Sequence, residues 1–238
     1  MVQRRLLILI FSIISAASFA QEKITTAGFQ FKPIFPSSFF STGPSNFEAD
    51  SALFTMKQNS GFCFGMVVRK GLSKNFSFET GINFVNRRFS LEVTDSALYE
   101  KTKFRIIGYE IPTLLLLFVQ LSQHIYMDVA FGHSLDIFPS DVFSKANYLN
   151  QYGARRNWAG SSLLANLGFE YRTEKSGYIY LGASFHRPFK FIYVSEIHYT
   201  GNNRQTDPLE KLGGNYLTLD LRYFFHADPE KRKKSKKN

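Results

Sequence analysis

The feature that most constrains this chain is a strict alternation of apolar and polar residues. In the segment SSLLANLGFEYRT, residues 161–173, Leu163 and Leu167 fall on one side of an extended chain, and Gly168 and Glu170 fall on the other. Such a period of two is typical of a strand with one apolar and one polar face. The same period recurs in FSFETGINF, GFCFGMVVR and NYLTLDLRYFF, and no comparable segment has a helical period. The sequence therefore predicts an all-β chain.

Counting such segments gives eight strands joined by connections of alternating length. The predicted strands cover residues 26–34, 60–70, 76–92, 102–118, 125–138, 161–173, 178–199 and 214–226. The long connections are 35–59, 93–101, 139–160 and 200–213, and the short ones are 71–75, 119–124 and 173–177. An even number of strands of about ten residues, with alternating short and long connections, is typical of an eight-stranded antiparallel up-and-down transmembrane β-barrel.

The most apolar stretch after the N-terminus, residues 109–138, does not predict a membrane helix. A spanning helix needs about 20 consecutive apolar residues, and Glu110, Pro112 and the polar residues 120–124 interrupt this stretch. Alternation is present on both sides of 120–124, so the stretch predicts two strands joined by a polar turn. Pro112 cannot donate to a strand ladder and weakens the pattern locally.

The two ends of the chain differ from the part between them. Two arginines, a short apolar run and small residues around Ala20 predict a secretory signal peptide over residues 1–20. The barrel is predicted over residues 21–226. The tail, 227–238, contains six basic and two acidic side chains. It predicts a solvated periplasmic segment, or alternatively an electrostatic contact with an anionic polymer or protein of the periplasm.

Composition excludes several classes of protein. The net charge is +10, but the tail alone contributes +4, and no basic stripe of the kind that nucleic-acid binding requires runs through the body. The single cysteine, Cys63, excludes an internal disulfide. The five histidines lack metal-ligand spacing, so the sequence predicts no cofactor and no metal.

Alternation alone leaves open whether the apolar face meets lipid or a protein core, as in a secreted lipocalin-like ligand-binding barrel. The polar face combines small residues with charges of both signs, which suits the narrow lumen of an eight-stranded barrel. The apolar face carries large aliphatic and aromatic side chains, with aromatic residues at the strand ends. We therefore predict a lipid bilayer outside. The predicted lumen charge network consists of Glu79, Glu110, Asp128, Glu170, Arg172, Asp220 and Arg222.

These inward charges are expected to pair with one another, because an unpaired buried charge is very costly. Pairing would seal the lumen, since eight strands leave little room beyond side chains. The alternative is a narrow, charged passage.

Two segments resemble a known family. YEIPTLLLLF resembles the IPLLL-type strand of the PorT-like outer-membrane β-barrel family, and FSFETGINF is similar to the strand that precedes it in that family. The resemblance extends over residues 27–225 and implies an eight-stranded barrel in the outer membrane of a Gram-negative cell envelope. One member of the family is implicated in a protein-secretion system. The resemblance transfers no functional residue to this chain, whose long strand 178–199 and basic tail depart from the family's plainest members.

Candidate catalytic side chains occur in GHSLD, with His133, Ser134 and Asp136, and in FHRPF, with His186. In a strand, His133 and Ser134 point to opposite faces, whereas a nucleophile and its base must be within hydrogen-bond reach. The sequence therefore predicts a non-enzymatic protein. The alternative is a small outer-membrane lipid-modifying enzyme.

The remaining candidate site is an outer loop. NYLNQYGARRNW mixes aromatic and arginine side chains, which are typical anchors at protein interfaces. Its predicted partner-contact residues are Tyr148, Tyr152, Arg155, Arg156 and Trp158. The predicted strand 178–199 would extend above the bilayer as a ledge for a partner. Together these features predict a structural or interaction component of a cell-envelope assembly, such as a protein-secretion system.

Overall fold

The computed structural model describes residues 24–36, 43–96, 98–173 and 176–225, and the predicted signal peptide and tail lie outside these ranges. The described residues form β1 Thr25–Phe35, β2 Ser45–Ala49, β3 Ala52–Gly71, β4 Phe76–Asp95, β5 Leu98–Gln120, β6 Ile125–Ile137, β7 Val142–Lys145, β8 Leu149–Arg155, β9 Ala159–Arg172, β10 Tyr178–Pro188, β11 Tyr193–Tyr199, β12 Leu209–Leu212 and β13 Tyr216–Phe224. The predicted all-β class is confirmed. No helix among the described residues is long and apolar enough to cross a membrane.

Eight of these strands form a closed antiparallel barrel. The order around the wall is β1, β3, β4, β5, β6, β9, β10 and β13, and β13 pairs with β1 to complete the ring. Phe29 on β1, for example, lies between Tyr223 on β13 and Met66 on β3. Closure removes the unpaired edges that an open sheet would present. The predicted eight-stranded up-and-down barrel is confirmed.

Three strands continue beyond the barrel wall. The register between β3 and β4 shifts between Asn59 and Phe62, and beyond this point β3, β4 and β5 extend the same sheet past the barrel wall, with β2 added at its edge. The predicted connection 35–59 therefore contains β2 and the first part of β3, and the predicted connection 93–101 contains the end of β4 and the start of β5. Both were wrongly predicted as loops. The apolar side chains of these parts are covered by other segments of the protein and not by lipid. The alternation therefore continues beyond the membrane-spanning part of each strand.

A second sheet faces this extension and completes a folded cap. It consists of β12, β11, β8 and β7 in that order, so the predicted connections 139–160 and 200–213 also contain strands. We call this sheet, together with β2 and the extensions of β3, β4 and β5, the cap. Its core consists of Ala52, Phe54, Met56, Phe89, Leu91, Val93, Phe104, Ile106, Phe138, Leu149, Ile192, Tyr193, Ile197, Tyr199 and Leu212. The cap therefore has a hydrophobic core of its own above the barrel.

The predicted single strand 178–199 is wrong. Its first part is β10, which lies in the barrel wall between β9 and β13, whereas its second part is β11, which lies in the cap between β8 and β12. The chain bends at residues 189–192, directly after Pro188, which cannot donate to a ladder. Because the alternation resumes after the bend, the sequence pattern predicted one continuous strand.

One tyrosine of the cap yields a prediction about pH. Tyr193 is fully buried and its hydroxyl donates to the carbonyl oxygen of Ser140 at 2.6 Å. Burial, with the nearby charge of Asp141, raises the pKa of Tyr193 to about 12, against about 10 for a free tyrosine. The folded state therefore disfavours the phenolate. Its stabilising contribution is complete below about pH 10 and is lost as the pH rises towards 12.

The difference in ultraviolet absorbance between the wild type and Tyr193→Phe should show one tyrosine ionising near pH 12. The same difference for Tyr148→Phe, an exposed tyrosine of the cap, serves as the control. A Tyr193 midpoint near 10 would contradict the burial of this side chain.

Candidate functional site: the barrel lumen and its upper end

The barrel is apolar outside and polar inside. Phe131 on the outer surface is 59% exposed, whereas Glu170 and Asp220 inside are fully buried. On β5 the outward side chains change from charged, at Lys103 and Arg105, to mainly apolar, from Ile107 onward. Exposure of so continuous an apolar surface is unfavourable in water but favourable against lipid. The change on β5 therefore marks the point at which the strand leaves the membrane.

Inside the barrel, charges from several strands are linked in one series of ion pairs. Arg222 donates to Asp220 at 2.7 Å and to Glu79 at 2.6 Å. Arg69 donates to the other oxygen of Glu79 at 3.0 Å and also to Glu170. Arg172 donates to Glu170 at 2.6 Å, and Lys32 lies 3.5 Å from Asp220. We call these residues, together with Asp128, the lumen network.

The lumen network contains equal numbers of basic side chains and carboxyl groups. Four cationic side chains face the carboxylates of Glu79, Glu170, Asp220 and Asp128. Asp128 is buried without a hydrogen-bond partner among the described residues, close enough to Arg69 and Arg222 for their charges to act on it.

Aromatic rings fill the space that the charges leave. The guanidinium of Arg69 lies 4.1 Å from the ring centroid of Phe224, and that of Arg222 lies 4.6 Å from the ring of Tyr180. The Tyr180 hydroxyl donates to Asn166 at 2.7 Å and lies over Gly168 and Gly182, where an added Cβ would come within 2.3 Å of the hydroxyl oxygen. Gly168 and Gly182 therefore leave room for the Tyr180 side chain along the inner wall formed by β9 and β10.

Nearer the cap lies a second buried cluster around His186. Its Nε2 lies 3.0 Å from Asp136 and 3.5 Å from Glu110. The imidazole stacks on Tyr216 with ring centroids 4.4 Å apart, and the Tyr216 hydroxyl donates to Glu110. The Arg87 guanidinium lies 4.9 Å from the Tyr216 ring centroid. Glu110 thus belongs to this cluster and not to the lumen network, although Asn83 donates to it at 3.0 Å and also accepts from Gln30.

The chemistry of the His186 cluster is set by what surrounds its carboxylates. Ser134 donates to Asp136 at 2.6 Å, and Ser162 also donates to Asp136, so neither hydroxyl is directed to His186 as a serine nucleophile would be. His133 faces outward and stacks on Phe189, as the alternation predicted.

Ligand atoms of Glu110, Asp136 and His186 lie within 4.8 Å of one another, the only such group among the described residues. Two carboxylates and an imidazole can hold a divalent cation. The positive charge of Arg87 also acts on Asp136.

The structure brings five of the seven predicted lumen residues into the lumen network by direct ion pairs, adds Asp128 by proximity, and places Glu110 in the His186 cluster. Arg172 is the outermost, since its side chain is 31% exposed at the short-turn end. Sequence reasoning did not assign roles to Asn83, Arg87, Tyr180 or Tyr216. The signal was available, because each lies at an inward position of its strand.

The predicted partner-contact loop is divided by the structure into two parts. Arg155 holds β8 to the connection between β6 and β7, because it donates to the carbonyl oxygens of Phe138 and Pro139 and pairs with Asp141. The Tyr152 hydroxyl also donates to Asp141, at 3.0 Å. Among the described residues, the side chains of Arg156 and Trp158 make no such hydrogen bond or ion pair. They lie at the junction of cap and barrel, while Tyr148 is exposed on the cap.

The closed ring, the apolar belt and the charged lumen define a transmembrane β-barrel of the outer-membrane type. Among solved structures, the chain is similar to the outer membrane protein OprG from Pseudomonas aeruginosa, with 11% identity and a TM-score of 0.55 over 87% of this chain and 98% of that one. At this identity the likeness supports the barrel fold alone.

Two further solved structures are less similar. The translocator domain of the autotransporter NalP from Neisseria meningitidis is 8% identical, with a TM-score of 0.38 over 94% of this chain and 96% of that one. The outer membrane protease OmpT from Escherichia coli is 10% identical, with a TM-score of 0.36 over 88% of this chain and 100% of that one. No protein-family model and no curated protein matches the chain.

Proposed function

We propose that this chain is a non-enzymatic outer-membrane β-barrel that presents its cap outside the cell for contact with other envelope proteins. The observation that carries the proposal is the lumen network, a set of buried ion pairs below a cap with its own hydrophobic core. A sealed barrel is poorly suited to transport, whereas a rigid cap is suited to binding. The PorT-like resemblance favours a protein-secretion system as the assembly.

The orientation of the proposal follows the general plan of such barrels, in which short turns face the periplasm and long connections face outward. The turns at 72–75 and 121–124 lie at the end opposite the cap. The basic tail would then follow Phe225 on the periplasmic side.

Conductance tests the seal. The purified protein, inserted into planar lipid bilayers, should give no stable single-channel openings, because paired side chains occupy the lumen. Heat-dependent migration of the same sample on a gel should confirm that the inserted protein is folded. Reproducible openings from folded protein would contradict the sealed lumen.

The interaction role is tested by native size. Outer membranes are extracted in a mild detergent, and the mass of the native particle and its co-migrating proteins are determined for the wild type and for Phe54→Ala, which loosens the cap. We expect a large complex that is lost in the variant. A lone monomer in both samples would overturn the proposed role.

A further inference from the structure

A cavity of about 400 Å³ lies where the barrel wall meets the cap. Its lining comes from the end of β6, the start of β9 and the connections at 156–157 and 188–192. Beside it, β6 ends at Ile137 and β10 ends at Pro188. The cavity therefore begins where the membrane-spanning wall stops, and its volume is that of a small-molecule site.

The charged residues at this cavity are predominantly basic. Arg156 and Lys190 line it, and neither has an ion pair among the described residues. Lys211 adds a third positive charge, since Arg156 and Lys211 lie 4.6 and 5.4 Å from the ring centroid of Phe191. Asp136 also lines the cavity, but its carboxylate is engaged by Ser134, Ser162 and His186.

The rim of the cavity is apolar and faces outward. Trp158, next to the lining residue Asn157, is 67% exposed, and Phe189 is 62% exposed and stacked on His133. Leu135, also exposed, continues the apolar belt of β6 into the lining. Exposed aromatic side chains at the edge of such a belt are typical of the membrane–water interface. The cavity thus lies at the level of the lipid headgroups.

We propose that this cavity binds the phosphate-bearing headgroup of an anionic lipid from the surrounding leaflet, which goes beyond the proposed function. Arg156 would offer its guanidinium fork and Lys190 its ammonium group to the phosphate oxygens. The acyl chains would lie against Leu135 and Phe189. A free anion would make no favourable contact with this apolar rim, and a lipid without net charge would leave the positive charges of the site uncompensated.

The single tryptophan of the chain provides the probe. The full protein is reconstituted into phosphatidylcholine vesicles with 10 mol% phosphatidylglycerol. Bromine on the acyl chains quenches tryptophan fluorescence. In one sample the phosphatidylglycerol is brominated, and in the other an equal amount of the phosphatidylcholine is brominated. Quenching of Trp158 should be stronger when the anionic lipid carries the bromine. Each basic residue near a membrane surface contributes a factor of about five to anionic-lipid binding. The affinity of the site for phosphatidylglycerol relative to phosphatidylcholine should therefore fall by up to about 25-fold in Arg156→Gln/Lys190→Gln.

Lys57→Gln/Lys145→Gln is the matched control, because it removes two exposed charges of the cap outside the cavity lining and should keep the preference. If the double variant does not fold, each single substitution should give an intermediate preference. Equal quenching by both brominated lipids in the wild type would overturn the proposal. Loss of the preference on adding inorganic phosphate, at constant ionic strength, would instead assign the site to a free anion and would equally overturn it. Neither result bears on the sealed lumen or on the native complex.

Discussion

Replacing Arg222 by methionine should lower the free energy of unfolding of the barrel by about 3–5 kcal/mol. Arg222 is buried and donates to both Glu79 and Asp220. Its removal takes a cationic partner from the carboxylates of Glu79 and Asp220, and the interior has little water to solvate them. Methionine retains most of the volume, so the loss would be electrostatic in origin and not a cavity.

Urea unfolding of the protein in lipid vesicles, followed by the heat-dependent shift on gels, measures this change. Lys101→Met is the matched control, because it breaks the exposed pair of Lys101 with Glu92, and water replaces that contact. It should leave the unfolding free energy nearly unchanged. An Arg222→Met protein as stable as the wild type would mean that the ion pairs do not hold the barrel together.

Replacing Phe54 by alanine should destabilise the cap by about 3–5 kcal/mol, the usual cost of removing a buried phenylalanine. Phe54 is fully buried between the two sheets of the cap. It stacks on Phe47 at 5.4 Å and meets the edge of Tyr199 at 5.9 Å. The variant should lose packing between β2, β3 and β11 while the ion pairs of the lumen network remain.

Limited proteolysis and hydrogen exchange distinguish the two regions. In Phe54→Ala the cap strands should be cleaved and exchange faster, while the heat-dependent shift of the barrel is retained. Phe143→Ala is the matched control within the cap, because Phe143 on β7 is 64% exposed, and it should behave as the wild type. Simultaneous loss of cap and barrel would show that they unfold as one unit.

Much of the barrel could be predicted from the sequence because side-chain alternation is local. Phe169 and Glu170 are adjacent, and the backbone of a strand alone places them on opposite faces. Lipid contact then follows from the chemistry of each face, so that the large residues lie outside and the charges inside.

The cap could not be predicted in this way. The cap strands that were missed, β2, β7, β8 and β12, have at most seven residues, too few for a period to stand out from turns and loops. β10 and β11 were predicted as one strand, because the alternation continues in the same phase across the bend between them. A period describes the direction of side chains but not the path of the strand that carries them.

The sequence by itself determined which side chains of each barrel strand face lipid and which face inward. Only the tertiary structure decided which inward charges meet. Arg222 and Glu79 are 143 residues apart in the chain, and Arg69 and Glu170 are 101 apart. Their contact depends on the stagger of strands around the closed barrel. Glu110 illustrates the consequence, since it shares the inward face with the lumen network but meets His186 instead. The physical reason is that alternation belongs to a single strand, whereas partner choice across a lumen belongs to the closed ring.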